Sequence, residues 1–269
     1  MKLLFLDLDG TLLNDEKEIS PVDMAAIDKM IAAGHKVIIN TGRPLYSVMI
    51  LAEKFGFLRE GFYISAFNGG LIYDPVSDEK LKYDTLPTDV VRHLFDEAYK
   101  MGLHIHTYID DHVVSEKDTK ELEFYTKRIK MPPLVVDDFA SATNGIQPKI
   151  ILISLDDKER LIAYREAVKD YAEEMGLYST FSDIRLLEYA NPLANKGEAI
   201  RFMCKHLGVD IKDTVAAGDE ENDLPMIEAA GTGVCMKNGV DGLKAVADYI
   251  TKHTNNEGGI AEIIDKFIL

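Results

Sequence analysis

Two aspartates, Asp7 and Asp9, stand one residue apart where the apolar run Leu3 to Leu6 ends. Carboxylates held that close and partly out of water raise one another's pKa or call for a cation between them. Three further groups of chemistry-bearing residues lie far along the chain: Thr41-Gly42-Arg43, then Lys196, then Asp219 with Asn222 and Asp223. Oxygen ligands of the carboxylate kind suit a hard divalent cation such as Mg2+. Lys196 opens the helical pattern "KGEAIRFMCKHLG", where a cation is disfavoured by the helix dipole, so an anion should lie nearby to compensate. The string Asp-x-Asp-Gly also opens the calcium loop of EF-hands, which requires Gly at its sixth position and Glu at its twelfth. Here the sixth position is Leu12, although Glu18 does fall at the twelfth, and no helix precedes Asp7.

These groups sit where short apolar runs stop at polar or glycine-rich residues: "LLFLDLDG", "KVIINTGRP", "FYISAFNGG" and "TVAAGDEEND". Helical patterns separate them. In "SPVDMAAIDKMIAAGH", Ser20 is placed to cap, Pro21 to occupy the first turn, and Gly34 to end the helix. Strand and helix in alternation predict a parallel sheet covered on both faces. Such sheets bind ligands beyond the carboxyl ends of their strands, where all four polar stops would gather. The middle of the chain differs. A helix over 88–101 leads into "HIHTYIDDHVVS", two strands around a turn at Asp110–Asp111. A charged helix over 117–130, the strand "KIILISL", a long helix over 157–175 and a second hairpin near Ser182–Asp183 follow. This predicts an antiparallel sheet with helices on one face, an α+β domain over 84–189 inserted into a core formed by 1–83 and 190–269. Inserted at the carboxyl edge, it would act as a lid.

The composition narrows the function. A hydrophobic fraction of 46% allows a sizeable core, and a net charge of -16 makes nucleic acid or an anionic membrane a poor partner, because phosphates would be repelled. An anionic ligand would need local positive charge. Cys204 and Cys235 have no metal-type spacing and read as reduced core residues of a cytoplasmic protein. The opening run is too short for a secretion signal, and no stretch approaches a membrane span. The sequence leaves oligomeric state open.

Taken together, the ordered set resembles the haloacid dehalogenase (HAD) superfamily of phosphohydrolases, from Leu3 to the C-terminal "NNEGGIAEII". "DLDGT", "NTGR", "NKG" and "GDEEND" look like its four motifs in order. The match is nearest the Cof-like sugar-phosphatase branch, whose large cap lies between the second and third motifs; "SAFNGG", with Asn68 and Gly69, looks like that branch's substrate loop. The resemblance implies a Rossmann-like core with an inserted α+β cap and a Mg2+-dependent phosphatase for small phosphorylated metabolites, foremost sugar phosphates. It implies Asp7 as nucleophile forming an aspartyl-phosphate, and Asp9 as general acid and base. Asp7, the Asp9 backbone carbonyl and Asp219 would hold Mg2+. Thr41, Gly42, Arg43 and Lys196 would bind phosphate, with Asn222 and Asp223 behind them.

Rival readings differ in what they need. A phosphomutase shares the intermediate but returns the phosphate to another oxygen. A phospho-ligand sensor would keep the fold without turnover, although Asp7, Asp9, Lys196 and Asp219 are all intact. A dehalogenase is disfavoured by the acid at position 9. His104, His106 and His112 admit a zinc site, or else a lining for the lid. Specificity is expected from the cap, with His104, His106, Tyr108, Arg185 and Glu188 as candidates.

Overall fold

The computed structural model describes residues 1–269. The chain divides into two compact units: Met1–Gly42, Ile50–Lys82 and Asn195–Leu269 form the first, Arg43–Met49 and Tyr83–Ala194 the second. Strands in chain order are β1 (Leu3–Leu6), β2 (Lys36–Asn40), β3 (Phe62–Ala66), β4 (Leu71–Asp74), β5 (Glu79–Tyr83), β6 (His104–Ile109) and β7 (His112–Ser115). They continue as β8 (Pro133–Val135), β9 (Lys149–Ile153), β10 (Tyr178–Asp183), β11 (Leu186–Ala190), β12 (Thr214–Gly218), β13 (Thr232–Cys235) and β14 (Tyr249–Ile250).

The first unit is built on one sheet of order β14-β13-β12-β1-β2-β3-β4-β5. From β14 to β3 every pairing is parallel. β1 and β12 lie at the middle, and all their residues are buried, as expected of strands covered on both faces. The sheet departs from the all-parallel expectation at one edge. There β3 turns back through Phe67–Gly69 and pairs antiparallel with β4. Helix Pro21–Ala32 starts as its sequence predicts: the Ser20 side chain accepts from the Asp23 backbone N–H (3.1 Å), with Pro21 in the first turn. Helix Lys196–Leu207 is capped by Asn195, whose side chain accepts from Gly197 and Glu198 N–H groups, and it ends at Gly208 in the left-handed conformation. Its buried Ala199, Ile200, Met203 and Cys204 pack with Leu3, Phe5 and Ala216 of the central strands. Both cysteines are free and buried, in line with a role as core residues.

The second unit carries a sheet of order β10-β11-β9-β6-β7-β8, antiparallel except for β7 beside β8. One face is apolar: Ile105, Ile150, Leu152, Phe181 and Leu187 pack with Val91, Leu94 and Phe95 of helix Thr88–Lys100 and with Leu161 and Tyr164 of helix Lys158–Ala167. The opposite face is polar. In register across it run Thr180, Glu188, Ile151 and His106. Two expectations are corrected. The helix over 157–175 breaks at Val168 (φ -100°, ψ 8°) into Lys158–Ala167 and Lys169–Glu174. Nor do all helices share a face: Tyr125 of helix Lys120–Ile129 lies on the polar side, its ring 4.6 Å from that of His106 and its hydroxyl 2.6 Å from that of Tyr108. The helix's N-cap Thr119 also bonds His104 (2.8 Å).

Candidate active site

Within the first unit, Asp7, Lys196, and Asp219 with Asp223 come from three separate segments to one place. Asp7 follows β1 directly, Thr41 follows β2, and Asp219 follows β12; all three leave the carboxyl ends of parallel strands. Lys196 opens the helix capped by Asn195. Its ammonium lies 2.6 Å from Asp7 Oδ1 and 2.5 Å from Asp223 Oδ1, and it is wholly buried. This is the compensation that a lysine at a helix start requires. Asp223 sits in a short 3-10 turn, Glu221–Asp223, and its other oxygen accepts from the N–H groups of Asp219 (2.8 Å) and Glu220 (3.0 Å). Gly218 allows this turn to close, since a Cβ there would fall 2.4 Å from Asp223 Cγ. Asp223 therefore acts as a brace for Lys196 and the Asp219 loop.

Asp219 accepts from Thr11 Oγ1 (2.7 Å) and faces Gly10, where a Cβ would fall 2.2 Å from Asp219 Oδ2. Gly10 also has φ +85°, so it meets a conformational and a spatial demand together. Carboxylate oxygens of Asp7, Asp219 and Asp223 lie within 4.8 Å of one another. Burial pushes the Asp7 carboxyl up to about 7; Lys196 opposes this, while Asp223 and Asp9 add to it. Burial, then the charges of Asp7 and Asp223, push Asp219 up to about 9 against the hydrogen bond from Thr11. Burial disfavours the Lys196 ammonium, but Asp223 and Asp7 more than offset it and hold the group charged. Three buried carboxylates thus share one buried ammonium. An all-oxygen donor set of this kind fits a hard divalent cation, with Asp7, Asp219 and Asp223 each offering a carboxylate oxygen.

Asp9 is partly exposed, and its Oδ1 accepts from Lys17 Nζ (2.9 Å). Thr41 is held through its N–H to Ser65 O (2.8 Å), and its carbonyl accepts from Asn68 N–H (2.9 Å). Asn68, in the left-handed region at φ 56°, accepts from Asn222 Nδ2 (3.0 Å) beside Gly42. Asn68 and Asn222 therefore form a strut between two loops, with Gly69 next to it in the same turn. Arg43 belongs to the second unit, where its guanidinium donates to Ser47 Oγ (3.3 Å). The sequence reading missed Asn40, the polar end of an apolar strand. Its side chain donates to Lys196 O (3.1 Å) and accepts from Ser65 Oγ (2.8 Å), which fixes the start of the lysine helix.

The histidines of the second unit do not form a metal centre. His104 Nε2 lies 3.0 Å from His106 Nδ1, and the ends of the pair reach Thr119 (2.8 Å) and Tyr108 (3.3 Å). His112 pairs instead with Asp111. The cluster of three or more potential ligands is the aspartate group, with no histidine in it.

The chain matches the model of the haloacid dehalogenase-like hydrolases over residues 4–264, and it belongs to that family. It is a phosphatase of this family. A 5-amino-6-(5-phospho-D-ribitylamino)uracil phosphatase of Bacillus subtilis, YitU, is 31% identical, with 98% of this chain and 97% of that protein aligned. Phosphatase YwpJ of the same organism is 29% identical over 98% and 99%. The crystal structure of a haloacid dehalogenase-like hydrolase from Bacteroides thetaiotaomicron superposes with a TM-score of 0.87 at 30% identity, covering 98% of each chain. No helix of this chain is long and apolar enough to cross a membrane.

Proposed function

We propose that the protein is a Mg2+-dependent phosphatase of small phosphorylated metabolites, foremost sugar or sugar-alcohol phosphates, working through an aspartyl-phosphate on Asp7. The observation that carries this reading is the meeting of Asp7, Asp219 and Asp223 around Lys196. Asp7 and Asp219 carboxylates and the Asp9 carbonyl would hold the metal, which when bound supplies Lewis-acid compensation of the phosphate's charge.

The protein's own groups would do the rest. An Asp7 oxygen bonds to phosphorus as the phosphorus–alkoxy bond breaks, and Asp9 gives its proton to the leaving oxygen. Water then bonds to phosphorus as the Asp7–phosphorus bond breaks and its electron pair returns to the carboxylate; Asp9 takes the water's proton. Lys196 keeps Asp7 oriented and neutralises charge that would otherwise repel the phosphate. Thr41 and Gly42 bind the oxygens that do not react, and Arg43 assists. Asn222 and Asp223 hold this frame. The substrate class is supported by the name of the Bacillus relative's substrate, a phosphate on a ribityl chain.

The test is a panel of sugar phosphates, sugar-alcohol phosphates, nucleotides and phosphorylated cofactors with Mg2+, repeated in EDTA. Release of inorganic phosphate, lost in EDTA and restored by Mg2+, is the expected result. Activity that persists in EDTA, or a phosphate that stays on the product, overturns it.

A further inference from the structure

The loop that carries Asp9 is tied down by two asparagines from the far end of the chain. Its own backbone supplies Leu12 N–H to Asp7 O (3.3 Å) and Leu13 N–H to Leu8 O (2.8 Å). Two of its carbonyls accept from outside. Asn238 Nδ2 donates to Gly10 O (2.7 Å), and Asn255 Nδ2 donates to Leu13 O (3.0 Å). The two asparagines are joined as well: Asn255 N–H donates to Asn238 Oδ1 (3.1 Å). Asn238 lies in the turn after β13, and the same turn is fastened to the metal-site loop by Val240 N–H to Asp219 O (2.9 Å). One carboxamide turn thus touches both the residue after Asp9 and the backbone of Asp219.

We propose that Asn238 and Asn255 are positioning residues that fix the Asp9 loop against the Asp219 loop, and so keep Asp9 in place for proton transfer. This rests on the role given to Asp9 above. Asparagine suits the task because one short side chain donates to a carbonyl while accepting from an N–H; aspartate cannot donate, and alanine does neither. Asn255 is buried, so its amide has no water to fall back on, whereas Asn238 is exposed and can be altered without opening the core. Proton transfer falls off steeply with misplacement of this kind, since about 1 Å can cost roughly 100-fold in rate.

The experiment uses the full chain with Mg2+ and 4-nitrophenyl phosphate, whose leaving group departs without needing a proton. The first transfer is then spared, and the second, in which Asp9 takes a proton from water, carries the effect. Wild type, Asn238→Ala, Asn255→Ala and Asp9→Asn are acid-quenched on the millisecond scale, and the lifetime of the phosphoenzyme is measured beside steady-state kcat and KM. Both asparagine variants are expected to lengthen that lifetime by roughly 10- to 100-fold, in the direction of Asp9→Asn, with kcat and KM falling together and kcat/KM little changed. If Asn255→Ala does not fold, Asn238→Ala carries the test. Phosphoenzyme breakdown at the wild-type rate in the folded variants, or a change in KM alone, overturns the proposal while leaving the role of Asp9 intact. A wild type that forms no phosphoenzyme, or an Asp9→Asn that behaves like wild type, overturns the underlying reading and this proposal with it.

Discussion

Lys196 and Asp7, 189 positions apart in the chain, are joined by a buried contact of 2.6 Å. On the far side of the ammonium stands Asp223 at 2.5 Å, so one cation is shared between two buried carboxylates. Removing one partner of such a set leaves uncompensated buried charge.

Lys196→Ala should therefore act on both stability and rate. Loss of a buried ion-pair partner is expected to destabilise the fold by about 3–5 kcal/mol in the absence of metal. Loss of a fixed positive donor should lower kcat by roughly 100- to 1000-fold. Urea unfolding and steady-state assay of the same preparation check both. A variant with wild-type kcat would remove Lys196 from the reaction.

Metal binding should release protons. Without metal, Asp7 is pushed up to about 7 and Asp219 to about 9, so near neutral pH the cluster holds protons that a bound cation must displace. The sign follows: apparent affinity for Mg2+ strengthens as pH rises from about 6 toward 9 and weakens as it falls. Titration calorimetry in buffers of different ionisation heat measures the released protons directly. Affinity that is flat over this range would argue against Asp7 and Asp219 as the binding carboxylates.

The second unit should be sensitive to acid. Burial drives His104 down to about 3 and His106 well below its ordinary value, the latter with help from Lys149 and from His104 itself. Both are neutral when folded and free to protonate when unfolded. The stability they protect is present above about pH 6.5 and is lost as pH falls toward the folded pKa values. The slope approaches about 1.4 kcal/mol per pH unit for each histidine. Denaturant unfolding followed by a probe in the second unit, at several pH values, checks this. His106→Gln should flatten the slope, and an unchanged slope would exclude His106 as a source.

Much of the site was legible in the sequence because its members sit at punctuation points. An apolar strand that stops at an aspartate must place that aspartate at a sheet edge, and a lysine opening a helix must find an anion. Asp7, Asp219 and Lys196 could be read from those rules, and the strands of both units could be read from their apolar runs. What could not be read depends on partners distant in the chain. The side-chain amides of Asn238 and Asn255 hydrogen-bond to residues more than two hundred positions away, which leave no periodicity. The break at Val168 was hidden because helical patterning continues on both sides of it. Helix Lys120–Ile129 was put on the wrong side because its charge pattern says that one stripe is buried, not which face of a sheet receives it. The antiparallel return through β4 was missed because a short apolar run fits either strand direction.

Asp9→Asn should separate the two half-reactions. Removing a general acid–base group costs roughly 100- to 10,000-fold, and with a leaving group that needs no proton most of that loss should fall on the second step. Phosphoenzyme should then build up to near the enzyme concentration. Equal slowing of both steps with 4-nitrophenyl phosphate would point to a collapsed site instead.

The most direct test is to find where the phosphoryl group rests during turnover. Wild-type enzyme, mixed with substrate and Mg2+, quenched in acid and digested, is analysed by mass spectrometry for a phosphorylated peptide containing Asp7. A phosphoryl adduct on Asp7 in the wild type, and neither adduct nor turnover in a folded Asp7→Asn, is the predicted result. Hydrolysis by Asp7→Asn at the wild-type rate, or an adduct on another residue, would contradict the account.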